Sequence, residues 1–254
     1  MNHLSGLLKS MLCTLGTAAA LAGTAAAAEL SVLSAGAIEP GLKAVVAAFE
    51  KQTGNTVQVA FNTAPELRKR MSSHPAFDVV IAPPAVIGEF AAASKLAETR
   101  ANVGRVGVGV AVRDGAPLPD VSSAETLKRA VRDADSLVFN RASTGLYLDG
   151  LLKTLGVHAE VEGKTTRYAD GASVMEHVIK GRGREIGFGA MTEIFLYQGK
   201  GLKLVGPLPA GVQNYTAYIA APLASSTQPA LAQQFVTFLS GPGKPLLVAA
   251  GVTD

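Results

Sequence analysis

The 254-residue chain has no tryptophan, one cysteine and four histidines, and aromatic residues make up only 6% of it. A single thiol builds neither a disulfide framework nor a cysteine-rich metal site. Charge is also sparse: 17% of residues are charged against 48% hydrophobic, and 23 Lys and Arg balance 20 Asp and Glu to a net +3. Charges of both signs are interspersed and no block of five or six basic residues occurs, so a nucleic-acid partner is not expected. Repeats and low-complexity stalks are absent as well, which leaves little room for a structural or adhesive protein. What remains is an ordinary globular composition, long enough for one or two domains with a sizeable core.

The apolar excess is concentrated at the start. Residues 1–28 contain no Asp or Glu. His3 and Lys9 form a short basic segment, Leu12 to Leu21 an apolar one, and Ala26-Ala27-Ala28 a small-residue motif that places cleavage before Glu29. A membrane anchor is the alternative, but the apolar run falls short of the roughly 20 residues that a spanning helix needs. Cys13 lies inside this segment, and Ser10 stands where a lipoprotein motif carries Leu. Removing 28 of 254 residues leaves an exported chain of 226 without a cysteine, and losing Lys9 lowers the net charge from +3 to +2.

Beyond residue 28, short β-branched runs alternate with longer segments of helical period. Leu30-Ser31-Val32-Leu33 predicts a buried strand; Leu42, Val45, Val46 and Phe49 predict a helix that Gly54 ends. A strand over 57–61, a helix through Leu67 and Met71 and a strand over 79–82 follow. After a long strand over 106–113 and a proline-containing connection, the alternation resumes: helix from about 123, strand 137–139, helix 143–155, strand 165–168, helix 174–179, strand 186–188. Strands over 202–205 and 215–220 and helices over 231–239 and 246–248 close the chain. The pattern predicts an α/β fold in two lobes, each a mainly parallel sheet flanked by helices, with a cleft between them as the natural site. The expected division is 29–110 plus 208–254 for lobe 1 and 111–207 for lobe 2.

Several strings carry a family resemblance. The opening from Leu30 to Gly54 with its Ser34-Ala35-Gly36-Ala37 loop, Asp78-Val79-Val80-Ile81, Gly109 to Pro117, and Phe238-Leu239-Ser240-Gly241-Pro242 resemble periplasmic solute-binding proteins of the molybdate-binding type. The resemblance spans nearly the whole chain after the leader and implies a type II periplasmic-binding fold that closes two lobes over a small anion. It also implies residence in the periplasm, work as a monomer with an inner-membrane ABC permease, and no cofactor. The family's molybdate-binding hydroxyls fall, in this alignment, on Ala37, Ala64 and Ala190. Three missing donors argue against molybdate or tungstate, unless Ser34 and Thr63 replace them.

Ligands of open α/β sheets bind beyond the carboxyl ends of the strands, so candidate residues follow strands. In Asn140-Arg141-Ala142-Ser143-Thr144-Gly145, Ser143 and Thr144 offer hydroxyls and free first-turn amides, and Arg141 offers a bidentate grip on a carboxylate. The bland reading makes Ser143 a helix cap and Arg141 a solvated residue. Ser34, Gly36 and Ala37 in the first loop and Asn62 and Thr63 in the second let a ligand approach backbone amides, or simply make tight turns. Thr192 follows a later strand. Asp170 reads as a helix cap and Glu193 as a first-turn acid favoured by the helix dipole. Tyr147, Tyr168 and Tyr215 are possible hydroxyl donors, more often packing residues. His74, His158 and His177 show no metal-ligand spacing, and Gly181-Arg182-Gly183-Arg184 matches no phosphate loop, so no metal site is expected.

The leading expectation is a receptor that captures a small anion, preferably an organic polycarboxylate, and delivers it to a transporter. The alternative comes from the same resemblance, which includes aconitate isomerases: a cofactor-independent enzyme that moves an allylic proton. Such a shift needs a carboxylate clamp and one base, for which Glu193, Glu39 and Asp170 are the candidates.

Overall fold

A computed structural model describes residues 27–73 and 76–254. The expected leader, with Cys13, lies outside the described residues except for its last two alanines, and so does His74. The elements follow the apolar pattern closely. β1 (Glu29–Ala35) runs into a short 3-10 turn and α1 (Glu39–Thr53), which stops at Gly54 in the left-handed conformation, φ 72°. β2 (Thr56–Asn62), α2 (Ala64–Ser72) and β3 (Val79–Ala82) complete the first alternation. The double proline after β3 does more than end a strand. Pro83 is the N-cap of α3 (Pro84–Ala92), a helix the sequence reading does not anticipate, because proline at the first helical position disturbs no hydrogen bond.

β4 (Ala101–Arg113) leads to α4 (Ala124–Asp133), whose Ser123 and Thr126 form a reciprocal capping box. β5 (Ser136–Asn140), α5 (Ser143–Thr154), α6 (His158–Val161), β6 (Thr165–Tyr168), α7 (Gly171–Lys180) and β7 (Glu185–Ala190) repeat the alternation. α8 (Met191–Tyr197) follows β7 without a loop. β8 (Leu202–Pro207), β9 (Tyr215–Pro222), α9 (Pro229–Ser240) and α10 (Lys244–Ala249) finish the chain.

The strands join in the order β2-β1-β3-β9-β4-β7-β5-β6, with β8 on β4. Both ends are parallel: β1 pairs with β2 and β3, and β5 with β6 and β7. The middle is antiparallel, because β4 and β9 carry the chain between the two halves. β4 pairs with β9 over 101–107 and with β7 and β8 over 108–113. One hydrophobic core gathers the elements before residue 107 and after 217, including Phe49 edge-on to Phe235 at 5.1 Å and to Phe238 at 5.4 Å. Two further clusters draw on residues 108–208, around Phe139 and Phe188 and around Met175 and Ile194. Where β4 passes from one core to the next, the Gln213 carboxamide accepts from the Val108 N–H at 2.9 Å and donates to the Val108 carbonyl at 3.0 Å. These bonds add to backbone ones, since the Val108 N–H also donates to the Asn214 carbonyl at 3.2 Å and its carbonyl also accepts from the Leu208 N–H at 3.1 Å. No helix among the described residues is long and apolar enough to cross a membrane.

Candidate functional site

A cavity of about 160 Å³ opens where the carboxyl ends of both parallel arms face each other. At about 30 Å³ per water, it has room for roughly five waters or one small metabolite. Its walls come from the ends of β1, β2, β5 and β7, from the starts of α1, α2, α5, α7 and α8, and from Pro83 and Tyr218. Five of the lining residues are helix N-caps: Thr63, Pro83, Ala142, Asp170 and Ala190. Of these only Asp170 caps with its own side chain, accepting from the Ser173 N–H at 2.8 Å. Alanine is among the poorest N-caps, and an uncapped first turn forgoes about 1 kcal/mol. Helix ends left open around one cavity form an array of N–H donors with positive dipole ends, which suits an anion.

Asn140 shows how local sequence builds one wall. Its buried carboxamide oxygen accepts from the Ala142 N–H at 3.0 Å and the Gly145 N–H at 3.2 Å, so the strand end itself caps part of α5. The Ser143 and Thr144 amides are left for the cavity. This close turn requires glycine at 145, where a Cβ would sit 1.6 Å from the Asn140 carbonyl oxygen. Gly145→Ala is therefore expected to lower stability by about 3 kcal/mol, at the upper end of overpacking costs, and to remove ligand binding with it. Thermal melts with and without ligand check this, and an unchanged melting temperature would show that the turn can open freely.

Most residues singled out from sequence meet here. Gly36, Ala37, Asn62, Thr63, Ser143 and Thr144 all line the cavity. Ala37, Ala64 and Ala190, the positions without the expected hydroxyls, line it too. Three others are placed elsewhere. Ser34 is fully buried with its hydroxyl on the Ala35 carbonyl, and Thr192 is fully buried with its hydroxyl on the Ala37 carbonyl, tying α8 to the turn before α1. Arg141 is exposed and outside the lining; the turn that sends Asn140 inward leaves its neighbour to solvent. Ser143 is the first residue of α5 and Ala142 the cap, so the capping role read for Ser143 falls to Asn140.

Among the tyrosines the structure selects one not foreseen. Tyr147 donates to the Val212 carbonyl, Tyr168 pairs with His177, and Tyr215 is exposed under the Arg105 guanidinium. Tyr218, buried on β9, lines the cavity instead, with its hydroxyl held above the usual phenol range by burial and by nearby Glu193. It sits in the middle of β9, so no strand-end signal marks it in the sequence. The Asn62 Nδ2 is buried in the cavity wall without a partner among the described residues.

The three candidate acids all reach the cavity: Glu39 from the start of α1, Asp170 from α7 and Glu193 from α8. No Lys, Arg or His among the described residues lines it. Lys43 pairs with Glu39 but is 66% exposed. Glu193 is half-buried, one side toward the cleft and its carboxyl against the backbone of Gly171. Burial raises its pKa to about 7, the Ala190 N–H it accepts from pulls the other way, and the negative charges of Asp170 and Glu39 add to the rise. A carboxyl that titrates near neutrality can donate a proton or accept one at physiological pH. The acids are not gathered as a metal-binding group among the described residues.

A family model described as bacterial extracellular solute-binding protein matches residues 30–252. An aconitate isomerase from a Pseudomonas species is 27% identical over 218 residues, covering 83% of this chain and 82% of that protein. The Azotobacter vinelandii periplasmic molybdate-binding protein superposes with a TM-score of 0.72 at 18% identity, over 89% of this chain and 99% of that one. The sulfate-binding protein of Mycobacterium tuberculosis gives 0.72 at 16% identity, over 89% and 86%. At such identities the two structures speak for the shared two-lobe fold alone.

Proposed function

The chain belongs to the bacterial extracellular solute-binding proteins, and from that premise we propose that it closes on a small unsaturated polycarboxylate and moves an allylic proton on it, as an aconitate-type isomerase. The observation that carries this reading is Glu193: a carboxyl titrating at about 7 inside a cavity ringed by open helix N-termini. The relative named aconitate isomerase supports it from sequence. In the proposed reaction the Glu193 carboxylate takes a proton from the methylene next to the double bond. The electron pair shifts the double bond by one carbon, and the carboxyl returns the proton at the far end. Charge that develops on the substrate carboxylates in between is met by the first-turn amides of α2, α5 and α8, preorganised donors that need no reorientation. Asn62 and Ser143 hold the anion, and no cofactor enters.

The same proposal includes export to the periplasm with loss of the leader, a monomer, and lobes divided near residues 110 and 208. A second reading is a polycarboxylate receptor that hands its ligand to an ABC permease. Helix ends whose own N-cap residues make no side-chain hydrogen bond favour it, since donors of that kind need only bind.

Proton NMR in deuterated water separates the two. With trans-aconitate the isomerase is expected to produce the cis isomer and to wash deuterium into the methylene position. The receptor stabilises without exchange: a ligand at 100 times its Kd raises stability by about 2.7 kcal/mol, visible as a melting shift. A melting shift with molybdate or tungstate but none with citrate, tricarballylate or either aconitate would end both carboxylate readings.

A further inference from the structure

The carboxyl of Glu193 occupies the space that a side chain at Gly171 would fill. A Cβ built on Gly171 lies 2.2 Å from Glu193 Oε2, 2.5 Å from Cδ and 2.7 Å from Oε1, so all three carboxyl atoms overlap it. Gly36, on the opposite wall, leaves a further gap, with its Cβ position 3.9 Å from Oε1. Gly171 has no backbone reason to be glycine. It is the first residue of α7, and its φ is not among the positive values. Alanine is the better helix former of the two. A glycine where the backbone prefers alanine, pressed against the Glu193 carboxyl, is explained by the carboxyl.

We propose that Gly171 is a positioning residue for proton transfer: by lacking a side chain it seats the Glu193 carboxyl against the first turn of α7, where the carboxyl faces the bound substrate. This deepens the isomerase reading and rests on it for the substrate, but not for the contact. The charged and titratable groups around the seat are Asp170 on α7, Glu39 on α1 with Lys43 paired to it, Tyr218 on β9 and Tyr197 at the end of α8. Each keeps its place when only the Glu193 side chain turns.

The test is Gly171→Ala, with Gly189→Ala as a control. The Cβ of the control would crowd the Met175 methyl at 2.4 Å but stays 3.9 Å from Glu193 Oε2. Each clash falls on the end of a flexible side chain, so both variants are expected to fold. In Gly171→Ala the carboxyl swings toward the open cleft. Deuterium exchange into trans-aconitate is expected to fall about 100-fold, the cost of misplacing a reacting group by about 1 Å. The Glu193 titration, read as the pH dependence of the melting temperature relative to Glu193→Gln, is expected to move down by about one pH unit as burial is relieved. Gly189→Ala leaves that midpoint where it is. An unmoved midpoint in Gly171→Ala, or an equal movement in both variants, overturns the positioning role. If the unsubstituted protein shows no exchange at all while the midpoint still moves with Gly171→Ala alone, the isomerase reading fails and the seat for Glu193 stands.

Discussion

Glu193→Gln is expected to remove turnover and, at pH 8, to make the protein more stable. The amide keeps the shape of the side chain and cannot take a proton, so the rate should drop by about 10²–10⁴, the usual contribution of a positioned acid or base. The stability effect follows from linkage. The folded state raises the Glu193 pKa from the ordinary 4.5 to about 7. It therefore binds the proton more tightly than the unfolded chain does. That contribution is fully present below about 4.5, declines as pH rises, and is gone above about 7, where a buried charge has to be tolerated. Glutamine escapes that cost. A full shift of this size corresponds to about 3 kcal/mol, and the water-facing side of Glu193 reduces it to about 1–3 kcal/mol.

Thermal melts from pH 4.5 to 8.5 should show the variant and the parent together at the acid end and the variant several degrees higher at the alkaline end. Identical curves would mean that Glu193 titrates as an ordinary surface acid. The same group sets the pH dependence of activity. Since the base must be ionised, kcat/KM should rise through about pH 7 and level off. Binding of the saturated analogue tricarballylate should run the opposite way, weakening by up to about tenfold per pH unit above 7 as a third negative charge appears beside Asp170 and Glu39. A rate that falls across the same range would remove Glu193 as the base.

Ala142→Asp is expected to separate stability from function. Ala142 is the N-cap of α5, with extended backbone and no side-chain hydrogen bond to the helix. An aspartate there can accept from a first-turn amide and meets the positive end of the dipole, a gain of about 1 kcal/mol. The same carboxylate stands where the ligand anion would bind. Two like charges 4 Å apart repel by about 4 kcal/mol at an effective dielectric of 20, so affinity should fall by at least about 100-fold. Melting temperature and isothermal titration with an aconitate measure the two effects on one sample. Tight binding by a more stable variant would show that the anion does not use the α5 terminus. The expected outcome is a site whose helix ends are poor caps because the ligand completes them.

Strands and helices were legible because burial writes a period of two or of 3.6 along a segment, and Gly54 and Asp170 act at helix ends as read. α3 was missed because two prolines after a strand look like a stop, although the same pair also starts a helix. Of the candidates at strand ends, Gly36, Asn62, Thr63, Ser143 and Thr144 come together on one cavity.

Which neighbour in each loop turns inward was not legible. Position alone favours Arg141 over Asn140, yet the strand pairing ends so that Asn140 is enclosed and Arg141 is left to solvent. Nothing local separates Tyr218 from the other tyrosines. It is buried because β9 lies between β3 and β4 in the middle of the sheet.

By itself, then, the amino-acid order determined the alternation of elements and the two-lobe α/β class, since each follows from the burial pattern of single segments. Only the tertiary structure decided that the cleft would hold three acids and, among the described residues, no cation, and that one of those acids would titrate near neutrality. Glu39, Asp170 and Glu193 come from three separate helices. Their mutual repulsion and the enclosure of Glu193 exist only after two cores have brought those helix ends together, and a pKa responds to distance and desolvation, which no single segment encodes.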